Sequence, residues 1–301
     1  MPARLVLLLG VLFVFMVVPS AVDLLTEWFW FDEVGYTTIF IRTLTARATL
    51  GGLVLLATFA IVAFNLRTAL GHVSRPYMLF PGGGDIQPVV LNQRQLQLLG
   101  TGVAGLVALF LGLFASNEWL TWLQFQEQVP FGQSDPLFGR DVAFYVFTLP
   151  FLDLARYLVM AALILSIIGS GAAYVVSGAL MLDPAQGPVV ADPARKHLGL
   201  LIAVFFMMLA WGEYLNVPRL LTTPGGIVHG ASYVDAVMRV PIHWVLMGVA
   251  LLGAGLSAMS AFTSRNTPAM AAVGLYALVT VAGNLGSVAV QRLVVTPDEQ
   301  Q

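Results

Sequence analysis

Long apolar runs, broken by short polar segments, follow one another along the whole chain. Each run holds about 20 mostly apolar residues, the length that an α-helix needs to cross a bilayer. The fourth run is longer, so we expect its helix to tilt or to begin in the interface. The pattern predicts an all-α fold, a polytopic transmembrane helical bundle of about seven helices in one domain (1–292), with spans at 5–25, 46–66, 96–116, 151–181, 198–215, 241–262 and 268–290.

The composition favours a bilayer as the solvent of this chain. Hydrophobic residues make up 58% and charged residues 10%, whereas a soluble domain carries about 25% charged residues. A net charge of -2 gives no reason to expect a nucleic-acid partner. The chain has no cysteine, which excludes disulfides and thiolate metal sites. No metal site and no cofactor are predicted, because the histidines are also scattered: His72, His197, His229 and His243.

One predicted helix carries a regular stripe of small residues. Small side chains recur every four residues in the third span, which places them along one helix face. Lipid tails give helices no hydrophobic reason to associate, so close backbone packing must hold a membrane bundle together. We therefore predict a helix-packing face at Gly100, Ala104, Ala108, Gly112 and Ser116.

Two ionisable residues near helix ends are the main candidates for a functional polar site. Glu213 and His243 lie near the predicted outer ends of the fifth and sixth spans. A charged side chain at the bilayer centre costs about 3 kcal/mol, so it usually faces protein or water. The favoured interpretation is that both side chains reach water at the interface. The alternatives are a buried structural pair and a proton-linked transport site, since histidine titrates near neutrality.

A second candidate polar site follows the first span. Asp32 and Glu33 lie within an aromatic segment that is typical of an interfacial belt, where amphipathic rings sit at headgroup depth. We favour the belt over a cation site, because adjacent acids on a helix point in different directions.

The long connection before the fourth span contains capping and pairing signals. Thr148 is predicted to cap the helix that Pro150 begins, and Asp153 is expected to pair with Arg156 one turn further on. The Gly-rich stretch 81–85 lacks the Gly-Lys-Ser/Thr ending of a phosphate loop. No other catalytic motif is recognisable, so no catalytic residue is assigned.

The charge distribution favours one orientation only weakly. Basic residues divide equally between the two predicted sides, so the positive-inside rule does not decide. Arg4 ahead of the first span favours a cytoplasmic N-terminus and an extracytoplasmic C-terminus. We interpret this span as a retained helix, because Pro19 occupies the place of a small residue that signal cleavage requires.

Four segments together resemble the N-terminal membrane region of the UPF0182 family of bacterial proteins. They are WFWFDEVGY at 28–36, DPLFGRDVAFYVFTLPF at 135–151, GASYVD at 230–235 and QRLVVTPDE at 291–299. The resemblance implies a multi-pass protein of the bacterial plasma membrane, with no assigned activity. Family members continue into a large extracytoplasmic domain, so residues 293–301 are expected to lead toward a domain that this chain lacks. The stretch 213–226 departs from the family pattern.

Three functions are compatible with these observations. The favoured one is a membrane platform that anchors an exported domain or an envelope protein partner in the lipid bilayer. The second is a transporter or channel with a polar site near the outer ends of the fifth and sixth helices. The third is a membrane enzyme that acts on an envelope substrate through its outer acidic residues.

Overall fold

The computed structural model describes residues 3–71, 77–78, 90–183, 187–222, 224–225, 228–263, 265, 267–291 and 293. The Gly-rich stretch 81–85, His72 and the tail from residue 294 lie outside them. Within the described residues the chain forms eight α-helices: α1 Ala3–Glu33, α2 Thr37–Gly71, α3 Gln93–Ser116, α4 Trp119–Gln126, α5 Leu149–Val176, α6 Asp192–Arg219, α7 Val240–Phe262 and α8 Thr267–Val290.

Three small antiparallel hairpins join these helices. Each has two strands, and none was predicted from the sequence. They pair β1 (Tyr77–Met78) with β2 (Val90–Leu91), β3 (Leu180–Asp183) with β4 (Gly187–Val190), and β5 (Pro224–Gly225) with β6 (Val228–His229).

Six helical segments of the described chain are long and apolar enough to cross a membrane. They are Thr37–Gly71, Gln93–Ser116, Phe144–Val176, Asp192–Arg219, Asp235–Phe262 and Thr267–Val290. Six of the seven predicted spans coincide with them, five completely and the span 151–181 up to Val176, so the predicted helical bundle is confirmed. The remaining span, 5–25, lies within α1, which is not among the six. The predicted count of seven is therefore approximate.

Two element boundaries differ from the predicted ones. The connection expected between the first two spans is almost entirely helical, because α1 ends at Glu33 and α2 begins at Thr37. Gly35, with a φ of 76°, makes the turn between them. The fourth span was predicted to reach residue 181, but α5 ends at Val176. Gly178 there has a φ of 70°, the left-handed conformation that commonly ends a helix.

A π-helical turn precedes both α5 and α7. The turns are Phe144–Thr148 and Asp235–Arg239, and each is followed after one residue by a proline in the first helical turn. Leu149 N–H donates to the Phe144 carbonyl, five residues back, and not to the carbonyl four residues back as in an α-helix. The proline explains this spacing, because it lacks an N–H and its ring crowds the carbonyl four residues before it.

The prediction that Thr148 caps α5 was wrong. Thr148 occupies the cap position but has helical backbone angles and makes no side-chain cap bond. Its hydroxyl instead donates to Gln128 Oε1 at 2.7 Å. Since the π turn continues directly into α5, the first N–H groups of α5 already have carbonyl partners, and no side-chain cap is needed.

The predicted small-residue face of α3 packs against α2. Ala104 and Ala108 are fully buried, and Gly112 is buried as well. A Cβ placed on Gly112 would lie 2.8 Å from the Gly51 carbonyl oxygen, and one on Gly51 would lie 3.0 Å from Ser116 Cβ. A Cβ on Gly100 would meet Leu70 Cδ1 at 2.7 Å. The stripe therefore lets the two backbones approach more closely than larger side chains would allow.

The same kind of contact joins α6 to α7. A Cβ on Gly199 would lie 3.1 Å from Ala261 Cβ, and one on Gly253 would lie 2.7 Å from the Phe206 ring. Phe206 also packs on buried alanines of both helices, Ala210 and Ala250. These contacts hold α6 and α7 together, so they fix the relative positions of the polar side chains that each helix carries.

Candidate polar site within the helix bundle

Three helices bring polar side chains together around Glu213. α6 places Glu213, α7 places His243 and α8 places Tyr276. His243 Nδ1 lies 2.6 Å from Glu213 Oε2, and the Tyr276 hydroxyl donates to Glu213 Oε1 at 2.7 Å. Asn216, one turn further along α6, donates to Glu213 Oε2 at 3.3 Å. Glu213 and His243 were predicted from the sequence, whereas Tyr276 and Asn216 were not.

The structure buries Glu213 rather than exposing it to water. Only 9% of the residue is exposed. The favoured interpretation of a side chain that reaches the interface is therefore wrong for Glu213. A buried carboxylate is tolerated when its oxygens accept several hydrogen bonds. The Tyr276 hydroxyl and the Asn216 amide both donate here, so the carboxylate is the acceptor, and the network assigns the proton between Glu213 and His243 to Nδ1.

Two further ion pairs surround this site. Arg219, at the end of α6, forms an ion pair with Asp153 of α5, with its Nε 3.1 Å from Asp153 Oδ2. Arg239 donates to Asp235 at 2.7 Å within the π turn before α7. The predicted Asp153–Arg156 pair was wrong, because Asp153 turns to α6 instead. Arg156 stacks over the Tyr157 ring at 4.4 Å.

A polar cavity of about 350 Å³ lies beside the Glu213–His243 pair. Arg219, Arg239 and His243 line it, whereas their acidic partners do not. The remaining lining residues are Asn216, Leu220, Ile242, Leu246, Asn284 and Ser287. The cavity therefore presents hydrogen-bond donors and positive charge. Its volume is in the range of small-molecule sites.

Ser287 is the one hydroxyl that lines the cavity, and it is not set up as a nucleophile. Its hydroxyl donates to the Gly283 carbonyl of its own helix at 3.0 Å. A nucleophilic serine needs its hydroxyl held by a base. The arrangement around His243 is thus that of a binding or proton-accepting site, not of a Ser-His-Glu triad.

A second buried polar cluster was missed in the sequence. His197 Nε2 lies 2.9 Å from Asn65 Oδ1, and its Nδ1 lies 3.0 Å from the Tyr174 hydroxyl. Ser170 donates to the Asn65 carbonyl at 3.4 Å. Tyr174 and Ser170 are fully buried. This cluster joins α2, α5 and the start of α6, so α6 contributes a polar side chain to a cluster near each of its ends.

Asp32 and Glu33 do not join the Glu213 site. Both are exposed at the end of α1, and Asp32 accepts a hydrogen bond from Thr37 at 3.4 Å. Among the described residues, no group of three or more Asp, Glu or His side chains is arranged to hold a metal ion. The acids that were predicted to lie on the outer side instead make separate local contacts.

Two of those acids organise the loop between α4 and the first π turn. Asp135 accepts the N–H groups of Leu137, Phe138 and Arg140, and also the Tyr145 hydroxyl. Burial raises the Asp135 pKa, but the hydrogen bonds led by Phe138 outweigh it and hold the pKa below 3.8. The loop also contacts α6, because Arg140 donates to the Tyr214 hydroxyl at 2.6 Å.

Asp141 fixes the other half of this loop. Its carboxylate accepts the N–H groups of Ala143, Phe131 and Gly132. The bond from Ala143 is the main reason that its pKa lies below the ordinary value of 3.8, and the other two bonds reinforce it. The ionised carboxylate is thus part of the folded loop.

We expect Asp141→Asn to lower thermal stability at pH 7, with the difference from wild type disappearing in acid. A lowered folded-state pKa adds stability above the unfolded pKa, and that stability is lost as the pH falls through the folded pKa. The difference should be constant above about pH 5 and shrink below pH 4. Thermal unfolding in detergent measures it. The exposed Asp23→Asn removes the same charge and should match wild type throughout; an equal loss in both variants would contradict the role of Asp141.

The fold defines the class of the protein: a helical bundle whose six apolar helices suit a multi-pass membrane protein. Comparison with known proteins then gives the family. The chain belongs to the uncharacterised protein family UPF0182, whose model matches residues 4–301. The resemblance found in the sequence is therefore confirmed.

Named relatives come from several bacteria. The chain is 34% identical to a UPF0182 protein of Geobacter sulfurreducens over 77% of its length, and 35% identical to one of Kocuria rhizophila over 91%. It is 32% identical to one of Thermobifida fusca over 99%. These matches cover 27%, 28% and 29% of the relatives, so the chain spans less than a third of their length. No solved structure matches the chain.

Proposed function

We propose that the bundle is a membrane transporter, with the Glu213–His243 pair as its proton-linked site. The observation that carries this proposal is a buried carboxylate bonded at 2.6 Å to an imidazole, within apolar helices and beside a polar cavity. Ionisable residues inside membrane segments commonly mark proton relays and solute pathways. Histidine supplies a proton acceptor near neutral pH.

The charges around the pair support a site that can take up one proton. The carboxylates are those of Glu213, Asp153 and Asp235, and the guanidinium groups are those of Arg156, Arg219 and Arg239. Their charges balance, so the cluster has no net charge while His243 is neutral. Protonation of His243 adds one positive charge beside the cavity. The groups that face the pair are Asp153 and Arg156 from α5, Arg219 from α6, Asp235 and Arg239 from the π turn, and Tyr276 from α8.

A membrane platform is the second candidate, and the lengths of the relatives favour it. The matched region is less than a third of each relative. A helical bundle that anchors a larger remainder would fit that proportion. The packed loop held by Asp135 and Asp141 gives such a platform a fixed outer surface. On this view the partner is an exported domain or an envelope protein, and the Glu213 site is structural.

Labelling of a single cysteine separates the two candidates. The natural chain has no cysteine, so Asn284→Cys places one thiol at the cavity. A transporter must open this cavity to water, and proton uptake at Glu213–His243 should change how often it opens. We expect a membrane-impermeant maleimide to label the thiol in intact bacterial cells, at a rate that changes at least threefold between pH 8 and pH 6.

The controls test the link to the proton site. The pH response should disappear when Glu213→Gln is added to the Asn284→Cys variant, and should persist with the exposed Glu127→Gln. A thiol that stays unreactive from both sides of the membrane at every pH would contradict the transporter and favour the platform. Labelling from the cytoplasmic side alone would show that the cavity opens toward the cytoplasm.

A further inference from the structure

We infer that the cavity beside His243 binds a tetrahedral oxyanion group with phosphate chemistry. This inference rests on the proposed transport site, because it assigns the class of ligand that the site takes. It comes from the lining of the cavity, which holds two guanidinium groups, one imidazole, two amides and one hydroxyl, and no carboxylate: Arg219, Arg239, His243, Asn216, Asn284 and Ser287.

The acidic partners are positioned so that they fix the arginines without filling the cavity. Arg219 is held by Asp153 and also donates to Asn216 Oδ1 at 2.9 Å. Arg239 uses Nη1 for Asp235, and about half of its side chain remains exposed. A guanidinium has five donors in a planar fork, so one ion pair leaves further N–H groups of Arg239 for a ligand. Arg239 is therefore a pre-oriented donor, and Arg219, which holds Asp153 and Asn216, adds a second cationic group to the lining.

His243 couples binding of the anion to uptake of a proton. Its Nδ1 contacts Glu213, and its Nε2 makes no hydrogen bond with any residue that the structure describes. On protonation the second nitrogen becomes a donor as well, and the cluster gains a positive charge. An oxyanion in the cavity would balance that charge. Anion binding and protonation of His243 should each strengthen the other by the same factor, because linked equilibria are reciprocal.

The arrangement of donors around the cavity favours a phosphate group over a flat ligand. A phosphate offers acceptor oxygens in several directions, and the donors come from four elements: α6, the π turn before α7, α7 itself and α8. Its source is either free phosphate or the headgroup of an anionic lipid. Both present the same group to the cavity, and the experiment distinguishes them.

Calorimetric titration of the full chain in a maltoside detergent, which contains no phosphate, tests the inference. The probes are inorganic phosphate and short-chain phosphatidylglycerol at constant ionic strength. Saturable binding of inorganic phosphate supports a free ligand, and saturable binding of the lipid alone supports a headgroup. Binding of neither probe overturns the inference. Sulfate, whose charge is constant between pH 8 and pH 6, should bind at least threefold more tightly at pH 6.

Two variants locate the site. Arg239→Gln should weaken binding at least tenfold, whereas Arg42→Gln should leave it unchanged, because Arg42 lines another cavity together with Glu127. Where Arg239→Gln does not fold, Asn284→Asp serves, since it puts a repelling carboxylate at the cavity without removing an ion pair. Equal affinity of wild type and Asn284→Asp would overturn the assignment.

The outcome of the calorimetric titration is independent of the outcome of the cysteine labelling. If cysteine 284 shows its pH-dependent labelling while neither probe binds, the transport proposal stands and the oxyanion assignment fails. If phosphate binds while the thiol stays unreactive at every pH, the cavity is an anion site on a bundle that does not open.

Discussion

Replacement of Gly112 by leucine is expected to separate α2 from α3 and to destabilise the bundle by about 3 kcal/mol or more. Even a single added carbon at this position would lie 2.8 Å from both the Gly51 carbonyl oxygen and Leu55 Cβ. The first of these is backbone, so it cannot rotate away. The two helices would have to move apart along their whole contact, and the buried side chains between them would lose their partners.

The same helix provides a matched control. Gly105 also lies in α3, but no atom of another described element lies within 4 Å of a Cβ placed there. Gly105→Leu adds the same apolar surface to the same helix, so it should change the unfolding midpoint in detergent by less than a quarter of the Gly112→Leu effect. Equal midpoints for both variants would show that the small-residue stripe does not hold the bundle together.

Removal of the Glu213 carboxylate should have the second large effect. Glu213→Ala leaves three donors without their acceptor in a buried site: His243, Tyr276 and Asn216. Unsatisfied buried groups cost about 1–3 kcal/mol each, so a loss of about 3 kcal/mol or more is expected. Equilibrium unfolding in mixed micelles measures it.

An exposed glutamate provides the comparison. Glu127 forms an ion pair with Arg42, and both side chains are more than half exposed. Glu127→Ala should cost less than about 1 kcal/mol, because water replaces the lost contact. Tyr276→Phe removes one donor and keeps the ring, so it should fall between the two. A Glu213→Ala variant as stable as wild type would mean that water reaches the carboxylate, as the sequence alone had suggested.

Helix positions were predictable because the bilayer imposes a simple physical rule. A chain that crosses it must satisfy every backbone group within the helix and must present apolar side chains for about 20 residues. Six of the seven predicted runs met this rule. The π turns were not predictable in the same way. They depend on Pro150 and Pro241 displacing a single hydrogen bond, a change of one residue that hydropathy does not register.

The candidate site was partly predictable for a related reason. Glu213 stood out because an acid near an apolar run is energetically expensive, and His243 because it can accept the proton. Their polar neighbours were harder to find. Tyr276 and Asn65 are isolated polar residues within long apolar runs, and His197 fell in a predicted connection. The pairing of Asn65 with His197 joins residues 132 positions apart, which no local pattern reveals.

The ion pairs between helices could not be predicted from local sequence spacing either. Local spacing suggested that Asp153 would pair with Arg156, three residues away. In the bundle Asp153 pairs with Arg219 instead, 66 residues away. The antiparallel packing of α5 on α6 brings that guanidinium to the start of α5, and helix spacing rules contain no information about neighbouring helices.

Each π turn also acts as a one-residue insertion in an otherwise continuous helix. Since an α-helix rotates by about 100° per residue, one extra residue turns everything before it by that angle relative to everything after it. The turn before α5 thereby sets the direction from which the loop held by Asp135 and Asp141 approaches the bundle. Tyr145, within this turn, is thereby buried against Leu149 and Leu215. The docking angle of that loop is thus set by the extra residue in the π turn, which Pro150 favours.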